Sequence, residues 1–140
     1  MKVIYLFLFQ FIVLMSTAQN QPITPQDPTE YTTPMAAQGA VLHHVFFWLK
    51  DPNSTQDKAL LKEGLATLRA IGEVQQLMIG DLASTLKRDV VVNDWQVSEL
   101  MVFKNSADQD AYQSHPIHAA FVEQYSHLWE KVVVYDMRVD

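Results

Sequence analysis

The sequence contains no cysteine among its 140 residues. This absence excludes disulfide cross-links, thiolate metal ligands and cysteine nucleophiles, whichever compartment the protein occupies. Basic residues are also few, since ten Lys and Arg stand against sixteen Asp and Glu, for a formal charge of −6. A surface of this sign repels phosphate groups, and the sequence has no basic run, so we expect no nucleic-acid partner.

Only the N-terminus carries a long apolar run. The segment MKVIYLFLFQFIVLMSTA has Lys2, then an apolar stretch over 3–15, then the small residues of 16–18. This order is typical of a secretory signal peptide, and the stretch is shorter than the roughly 20 residues of a membrane-spanning helix. We therefore predict a signal peptide over 1–18, export to the periplasm or outside the cell, and no stable membrane anchor after cleavage. Retention of the segment as an N-terminal anchor is the alternative.

Proline is concentrated in one short region. Four of the six prolines fall within residues 19–38, QNQPITPQDPTEYTTPMAAQ, where apolar periodicity is weak. This composition predicts a flexible leader. The folded part is then expected over 39–140, and about 100 residues correspond to a single domain.

Hydrophobic patterning over 39–140 predicts an alternation of strands and helices. Strands are predicted at 40–50, 73–82, 95–104 and 132–139, where β-branched and aromatic residues concentrate. A helix over 54–72 is expected to be capped by Ser54. A second helical region is expected to start near Ala107, behind a Ser106–Gln109 capping box, and to restart at Pro116 and run to residue 131. The order β-α-β-β-α-β is typical of the ferredoxin-like α+β fold, a four-stranded antiparallel sheet with helices on one face.

The first predicted strand has no polar face. Successive side chains alternate between two sides, which carry Val41, His43, Val45, Phe47 and Leu49 on one and Leu42, His44, Phe46 and Trp48 on the other. The helices can cover only one side of the sheet, and a domain of this length has nothing left for the second. We therefore predict a homodimer packed through the sheet face.

The histidine spacing does not favour a metal site. His115 and His118 would be neighbours on a helix, but zinc needs three or four ligands and no standard spacing supplies the others. We predict neither a metal nor a cofactor. Because His115 directly precedes Pro116, it is expected at a helix boundary, where its ring caps the helix or faces solvent. A place on the rim of a ligand pocket is the alternative.

His118 is the main candidate for chemistry or ligand contact. It lies one turn into its helix, on the side of Phe121 and Val122, so its ring is expected to face the sheet, where partial burial makes its pKa tunable. Glu99 is unusual because its strand face is otherwise apolar. It is expected at a rim, paired with a base that it holds protonated, or neutral through desolvation among Trp95, Val97, Met101 and Phe103.

Three strings carry a family resemblance. HHVFFWLKD, FKNSADQDAYQSHPIHAAF and WEKVVVYDM resemble the stress-response dimeric α/β-barrel (Dabb) family over roughly 41–139. The Tyr-x-x-His-Pro-x-His string after the third strand is the most specific part. The resemblance implies a ferredoxin-like protomer whose sheet pairs with that of a second copy to form a barrel.

The resemblance also implies candidate site residues. One family member, a plant polyketide cyclase, performs an aldol condensation without metal or cofactor. Its catalytic tyrosine and histidine fall on Tyr112 and His118, and a further pocket histidine falls on His44. Two other pocket positions differ, since its first-helix tyrosine falls on Leu65 and its third-strand valine on Glu99. The cyclase's polyketide tunnel is therefore not implied.

Two functions from different classes remain open. The first is a non-catalytic dimeric domain that binds a small apolar ligand between helices and sheet. The second is a cofactor-free acid/base enzyme of the cyclase or isomerase kind, with His118 as base and Tyr112 as hydroxyl donor to a developing enolate. His44, Glu99 and His115 are the predicted ligand contacts. An open cavity that holds both Tyr112 and His118 would favour the enzyme.

Overall fold

The computed structural model describes residues 36–140. The predicted signal peptide at 1–18 and the leader up to residue 35 lie outside the described residues. The elements are β1 (Val41–Leu49), α1 (Thr55–Thr67), β2 (Val74–Asp81), β3 (Val97–Phe103), α2 (Ser106–Gln113), α3 (Pro116–Tyr125) and β4 (Trp129–Arg138). Short 3₁₀ turns follow α1 and α3, at Leu68–Ala70 and Ser126–Leu128. The predicted ferredoxin-like α+β architecture is confirmed.

The four strands form one antiparallel sheet in the order β2-β3-β1-β4. The strands β1 and β3 are therefore central, and β2 and β4 are edges. Val45 of β1 lies opposite Glu99 of β3 and opposite Val134 of β4. Directly opposed residues project to the same side of a sheet, so this register sets which side chains share a face.

Helix α1 begins as the sequence predicts but is shorter. Ser54 Oγ accepts a hydrogen bond from the Asp57 N–H at 3.0 Å. The α-helix ends at Thr67 and continues as a 3₁₀ turn. Gly64 lies against α3, where a Cβ would come within 2.7 Å of the Tyr125 ring. Glycine at this position therefore allows α1 and α3 to approach closely.

The cap of α2 differs from the prediction. Asn105 Oδ1 accepts the Asp108 N–H at 2.9 Å, and Ser106 is the first helical residue. The predicted Ser106–Gln109 capping box is therefore wrong by one residue. Asparagine caps helices as well as serine does, and Asn105 takes the cap position that we predict for Ser106.

The C-terminal end of the helical region also differs. We predicted helix to residue 131, but α3 ends at Tyr125 and Trp129 is the first residue of β4. The Trp129 ring packs against Phe47 and Phe121, with ring centroids 5.2 and 5.8 Å apart. Aromatic residues suit strands that pack on a half-buried surface, which explains why the strand starts earlier than the predicted residue 132.

The sheet has two unlike faces. The covered face packs against the helices and holds the core, which includes Val45, Phe47, Val97, Met101 and Phe103. The opposite side, which we call the open face, has no helix over it among residues 36–140. Its side chains are Leu42, His44, Phe46, Trp48, Trp95, Tyr135 and Met137, and the last two are 64% and 54% exposed.

Trp95 belongs to the open face, where its ring meets that of Phe46 with centroids 5.2 Å apart. We predicted it on the same face as Glu99, and this is wrong. The strand β3 begins only at Val97, so the alternation of side chains does not extend back to residue 95.

Candidate functional site

A cavity of about 290 Å³ lies between the helices and the covered face of the sheet. Its apolar walls include Val45, Phe47, Phe121, Val122, Trp129 and Val134. The polar side chains that reach it are His43, Glu99, Tyr112, Gln113, His118 and Ser126. The cavity is accessible along β4, an edge strand whose Val132 and Val134 remain 44% exposed.

Tyr112 lies near the end of α2 and is 1% exposed. Its ring packs on His118 and Phe103, with centroids 4.7 and 5.1 Å apart. Burial raises the pKa of Tyr112 well above its ordinary value, and the charge of Glu99 adds to the effect. The phenol therefore keeps its proton at physiological pH and offers an O–H donor.

His118 lies in the first turn of α3, with Nδ1 3.1 Å from the backbone carbonyl oxygen of Gln113. A carbonyl oxygen only accepts, so Nδ1 carries the hydrogen of this bond. Burial lowers the pKa of His118; the Gln113 carbonyl opposes this shift, and the charge of His43 adds to it. The ring is therefore neutral near pH 7, and Nε2 keeps a free lone pair.

Glu99 is 2% exposed, and its Oε2 has no hydrogen-bond partner in the described part of the chain. Within the described part of the chain, no Lys or Arg lines the cavity. Desolvation raises the pKa of Glu99 to about 8. We expected Glu99 at a rim, paired with a base, or neutral through desolvation, and the structure favours the last of these. None of the five histidines, all of which lie within residues 36–140, is paired with Glu99, so it holds none of them protonated.

The histidine that enters the cavity from β1 is His43, which the sequence reasoning missed. It is 3% exposed, and its Nδ1 lies 2.6 Å from Asp136 Oδ1. Its ring meets the edge of Tyr112 at a centroid distance of 5.9 Å. The partner carboxylate is 51% exposed, so this hydrogen bond reaches from the buried interior to the surface of β4.

His44 does not line the cavity, and its predicted ligand contact there is wrong. Its ring lies on the open face, 4.1 Å from that of Phe46 between centroids. Neighbouring residues of a strand point to opposite faces, and the pairing of Val45 with Glu99 places His43 on the cavity side. The strand alternation was visible in the sequence, but the pairing register that links it to Glu99 was not.

His115 caps α3 and is absent from the cavity walls. Its Nδ1 accepts the Ile117 N–H at 3.1 Å, and Pro116 occupies the first turn. The predicted capping role is confirmed, whereas a ligand contact finds no support in this placement. Gln113 and Ser126 reach the cavity because α2 ends and the 3₁₀ turn begins beside it, and neither boundary could be located from the sequence.

The structure thus brings together His118, Tyr112 and Glu99 and adds His43. Two hydroxyl-type donors, on Tyr112 and protonated Glu99, and one free imidazole nitrogen, on His118, line the same small cavity. Such a set can hold a neutral polar group and move a proton. Residues 36–140 contain no cluster of three or more His, Asp or Glu suited to a metal ion, and no helix there is long and apolar enough to span a membrane.

The sequence matches the model of the family described as Stress responsive A/B Barrel Domain (Dabb) over residues 41–139. No curated protein matches the chain. A Dabb family protein with a ferredoxin-like fold from Mesorhizobium loti is similar in structure, at 24% identity and a TM-score of 0.59, over 71% of this chain and 96% of that chain.

Two further solved structures share the fold. A dimeric protein of unknown function from Bacteroides fragilis has 22% identity and a TM-score of 0.56, over 72% of this chain and 97% of that chain. A hydroxynitrile lyase from Passiflora edulis has 20% identity and a TM-score of 0.62, over 74% of this chain and 96% of that chain. At these identities the similarity establishes the fold alone.

Proposed function

The chain belongs to the stress-responsive A/B barrel domain family, and from this premise we propose that it binds a small, mainly apolar ligand in the cavity beneath α2 and α3. The observation that carries the proposal is the cavity itself, about 290 Å³ with apolar walls and a few convergent polar groups. Ligand sites have this composition. With about 30 Å³ for each water in the liquid, the space corresponds to about ten water molecules, so the ligand is small.

Toluene is a suitable first probe because it tests the apolar walls alone. We expect it to shift the NMR signals of cavity residues in the full chain. Val122→Trp should abolish these shifts, because Val122 lines the cavity and is 39% exposed, so the larger ring can fill the space without disturbing the core. Val90→Trp, on a loop residue that is 83% exposed, is the matched control. Equal binding by both variants would contradict the cavity as the site.

A second function, cofactor-free acid/base catalysis, is favoured by the hydrogen-bonding state of His118. Its Nδ1 is held by the Gln113 carbonyl oxygen, which leaves Nε2 to act as the base, and its ring packs on that of Tyr112 at a centroid distance of 4.7 Å. In the proposed step Nε2 takes a proton from the carbon next to a substrate carbonyl, and the C–H electron pair becomes a new C=C bond. The C=O π pair moves to the oxygen, and the resulting enolate oxygen accepts a hydrogen bond from Tyr112. The hydroxynitrile lyase of the same fold supports an enzymatic use of this scaffold.

The base can be tested with 5-nitrobenzisoxazole, whose isoxazole ring opens when a base removes the proton on C3 and the N–O bond breaks. The product phenolate is detected by absorbance. A positioned general base contributes on the order of 10²–10⁴-fold, and His118→Ala should remove that acceleration. His127→Ala, at an exposed turn residue, should not. If wild type and His118→Ala have equal rates, His118 is not a base toward this class of probe.

We also propose that the protein works as a homodimer joined through the open face. This face is largely apolar, and several proteins of the same fold are described as dimeric. When an apolar sheet face packs against an identical copy, the apolar surface of both copies is removed from water at once. Sedimentation should give about twice the chain mass at micromolar concentration, and a stable monomer would overturn the proposal.

Export is proposed from the N-terminal segment alone. Lys2, the apolar stretch of 3–15 and the small residues of 16–18 support a cleaved signal peptide. Mass spectrometry of the protein from its native host should then find an N-terminus at Gln19 or close by. Intact Met1 in a membrane fraction would contradict cleavage.

A further inference from the structure

Glu99 is a carboxyl group whose environment leaves it unsatisfied. On β3 it stands between Val97 and Met101, both fully buried, and it is itself only 2% exposed. Its Oε2 has no hydrogen-bond partner among the described residues. A buried polar atom without a partner destabilises a fold, so packing gives no reason for a carboxyl here. The side chain lines the cavity, where a ligand can supply the missing partner.

We propose that Glu99 selects the ligand class: its carboxyl O–H donates a hydrogen bond to the oxygen of a small, neutral, apolar carbonyl compound. This inference rests on the proposed ligand-binding function and specifies the ligand.

The groups around Glu99 favour a neutral acceptor. A carboxyl group in this apolar wall, with its pKa raised to about 8, carries its proton near neutral pH and acts as a donor. The Tyr112 hydroxyl is a second donor on the same cavity. A carbonyl oxygen has two lone pairs and can accept from both. His118 Nε2 then remains as the acceptor for a hydrogen on the ligand.

Charged ligands fit the same groups poorly. An anion would meet no Lys or Arg on the cavity walls, and it would lie near the Asp136 carboxylate that binds His43. A cation would require Glu99 to ionise and both charges to lose their water between apolar walls, and the attraction of such a pair often fails to offset this desolvation.

Three ring compounds of similar shape distinguish a neutral carbonyl ligand from a purely apolar ligand and from a cation. Cyclohexanone offers a carbonyl oxygen, methylenecyclohexane replaces it by an apolar CH₂, and cyclohexylamine is a cation at about pH 6, well below an ordinary amine pKa. We would measure their dissociation constants by titration calorimetry with the full chain. Each net hydrogen bond corresponds to about a tenfold preference for cyclohexanone over methylenecyclohexane in the wild type.

Two variants assign that preference to Glu99. Glu99→Leu removes one of the two donors at similar size and should lower the preference by about tenfold without loss of methylenecyclohexane binding. Glu99→Gln keeps an N–H donor, so it should retain the preference and serve as the folded reference if Glu99→Leu is unstable. Above about pH 8 the preference of the wild type should fall to that of Glu99→Leu, because an ionised carboxylate no longer donates, whereas Glu99→Gln should keep its preference.

The outcomes separate a failure of the Glu99 role from a failure of the ligand-binding function. If the wild type binds cyclohexanone and methylenecyclohexane equally, the role of Glu99 is overturned and the apolar cavity stands. If cyclohexylamine binds most tightly, Glu99 acts as a carboxylate for cations and the inference is also wrong. If the folded wild type binds none of the three compounds, the ligand-binding function itself fails, and the inference falls with it.

Discussion

The strand β1 carries two adjacent histidines in opposite environments. His43 lies under the helices and is 3% exposed, and its Nδ1 is hydrogen-bonded to Asp136 Oδ1 at 2.6 Å. His44 lies on the open face against Phe46, where burial lowers its pKa and the neighbouring His43 adds to the effect. The residue type is the same, so the face alone decides which histidine can meet a ligand.

The two faces differ in a second respect. The covered face contains a cavity with several titratable groups, and one of them, Glu99, has an oxygen without a hydrogen-bond partner among residues 36–140. The open face combines apolar side chains with partly exposed aromatic rings, including Tyr135. A cavity with few polar groups suits a small ligand, whereas a broad apolar surface suits another protein chain. Substitutions on each face test this division of roles.

The largest effect is expected on the open face. Phe46→Asp would place an unpaired charge in the proposed dimer interface, which costs several kcal/mol. We expect a monomer or an unfolded chain by sedimentation and circular dichroism. Leu60→Asp, on the outer side of α1 at 37% exposure, is the control and should remain dimeric. A Phe46→Asp dimer of wild-type affinity would assign the interface to another surface.

The buried Glu99 carboxyl on the covered face should make the stability of the protein depend on pH. The folded chain holds the Glu99 proton up to about pH 8, whereas the unfolded chain loses it near the ordinary value of 4.5. The folded state binds more protons between these values, so the free energy of unfolding should fall as the pH rises through this window, by up to about 1.4 kcal/mol per pH unit. Urea denaturation across this range measures the slope.

Glu99→Gln should remove this contribution, and Glu123→Gln, on the exposed side of α3, should leave it unchanged. A wild-type slope equal to that of Glu99→Gln would mean that Glu99 is ionised in the folded protein at neutral pH.

His118 and His44 form a matched pair for the two roles. His118→Ala should leave folding and dimerisation nearly intact but abolish retention of any ligand that co-purifies, as detected by native mass spectrometry. His44→Ala should retain the ligand and weaken the dimer, because its ring belongs to the open face. If His44→Ala loses the ligand and His118→Ala weakens the dimer, the ligand binds on the open face and the dimer forms through the covered face. If His118→Ala unfolds, the Tyr-x-x-His-Pro-x-His string has a structural role only.

The smallest effects are expected at the start of α3. His115→Ala removes a helix cap and should cost about 1 kcal/mol at most. Pro116→Ala should cost about 0.5–1 kcal/mol through the greater freedom of the unfolded chain. Thermal denaturation measures both, and ligand retention should be unchanged in each. Loss of ligand in His115→Ala would mean that His115 contributes to the ligand site.

The sequence was informative where a local signal sufficed. The Tyr-x-x-His-Pro-x-His string located Tyr112, the His115 cap and the cavity-facing His118, because helical spacing and the proline fix their directions over a few residues. The element order gave the fold for the same reason, since each strand and helix has its own hydrophobic period.

The sequence failed where the outcome depends on distant pairing. His43 and Asp136 are 93 positions apart and meet only through the β1–β4 register. Trp129 could end a helix or start a strand, and contacts with Phe47 and Phe121 decide for the strand. The carboxyl state of Glu99 likewise depends on which side chains surround it, and this requires the register of β3.

The five histidines of the chain provide the most direct test of the cavity as the ligand site. Their imidazole signals can be followed by NMR while toluene is added, because an aromatic ring shifts the signals of nearby nuclei. We predict shifts for His43 and His118, which line the cavity, and none for His44, His115 and His127. A shift of His44 without any change at His118 would place the ligand on the open face and contradict the account.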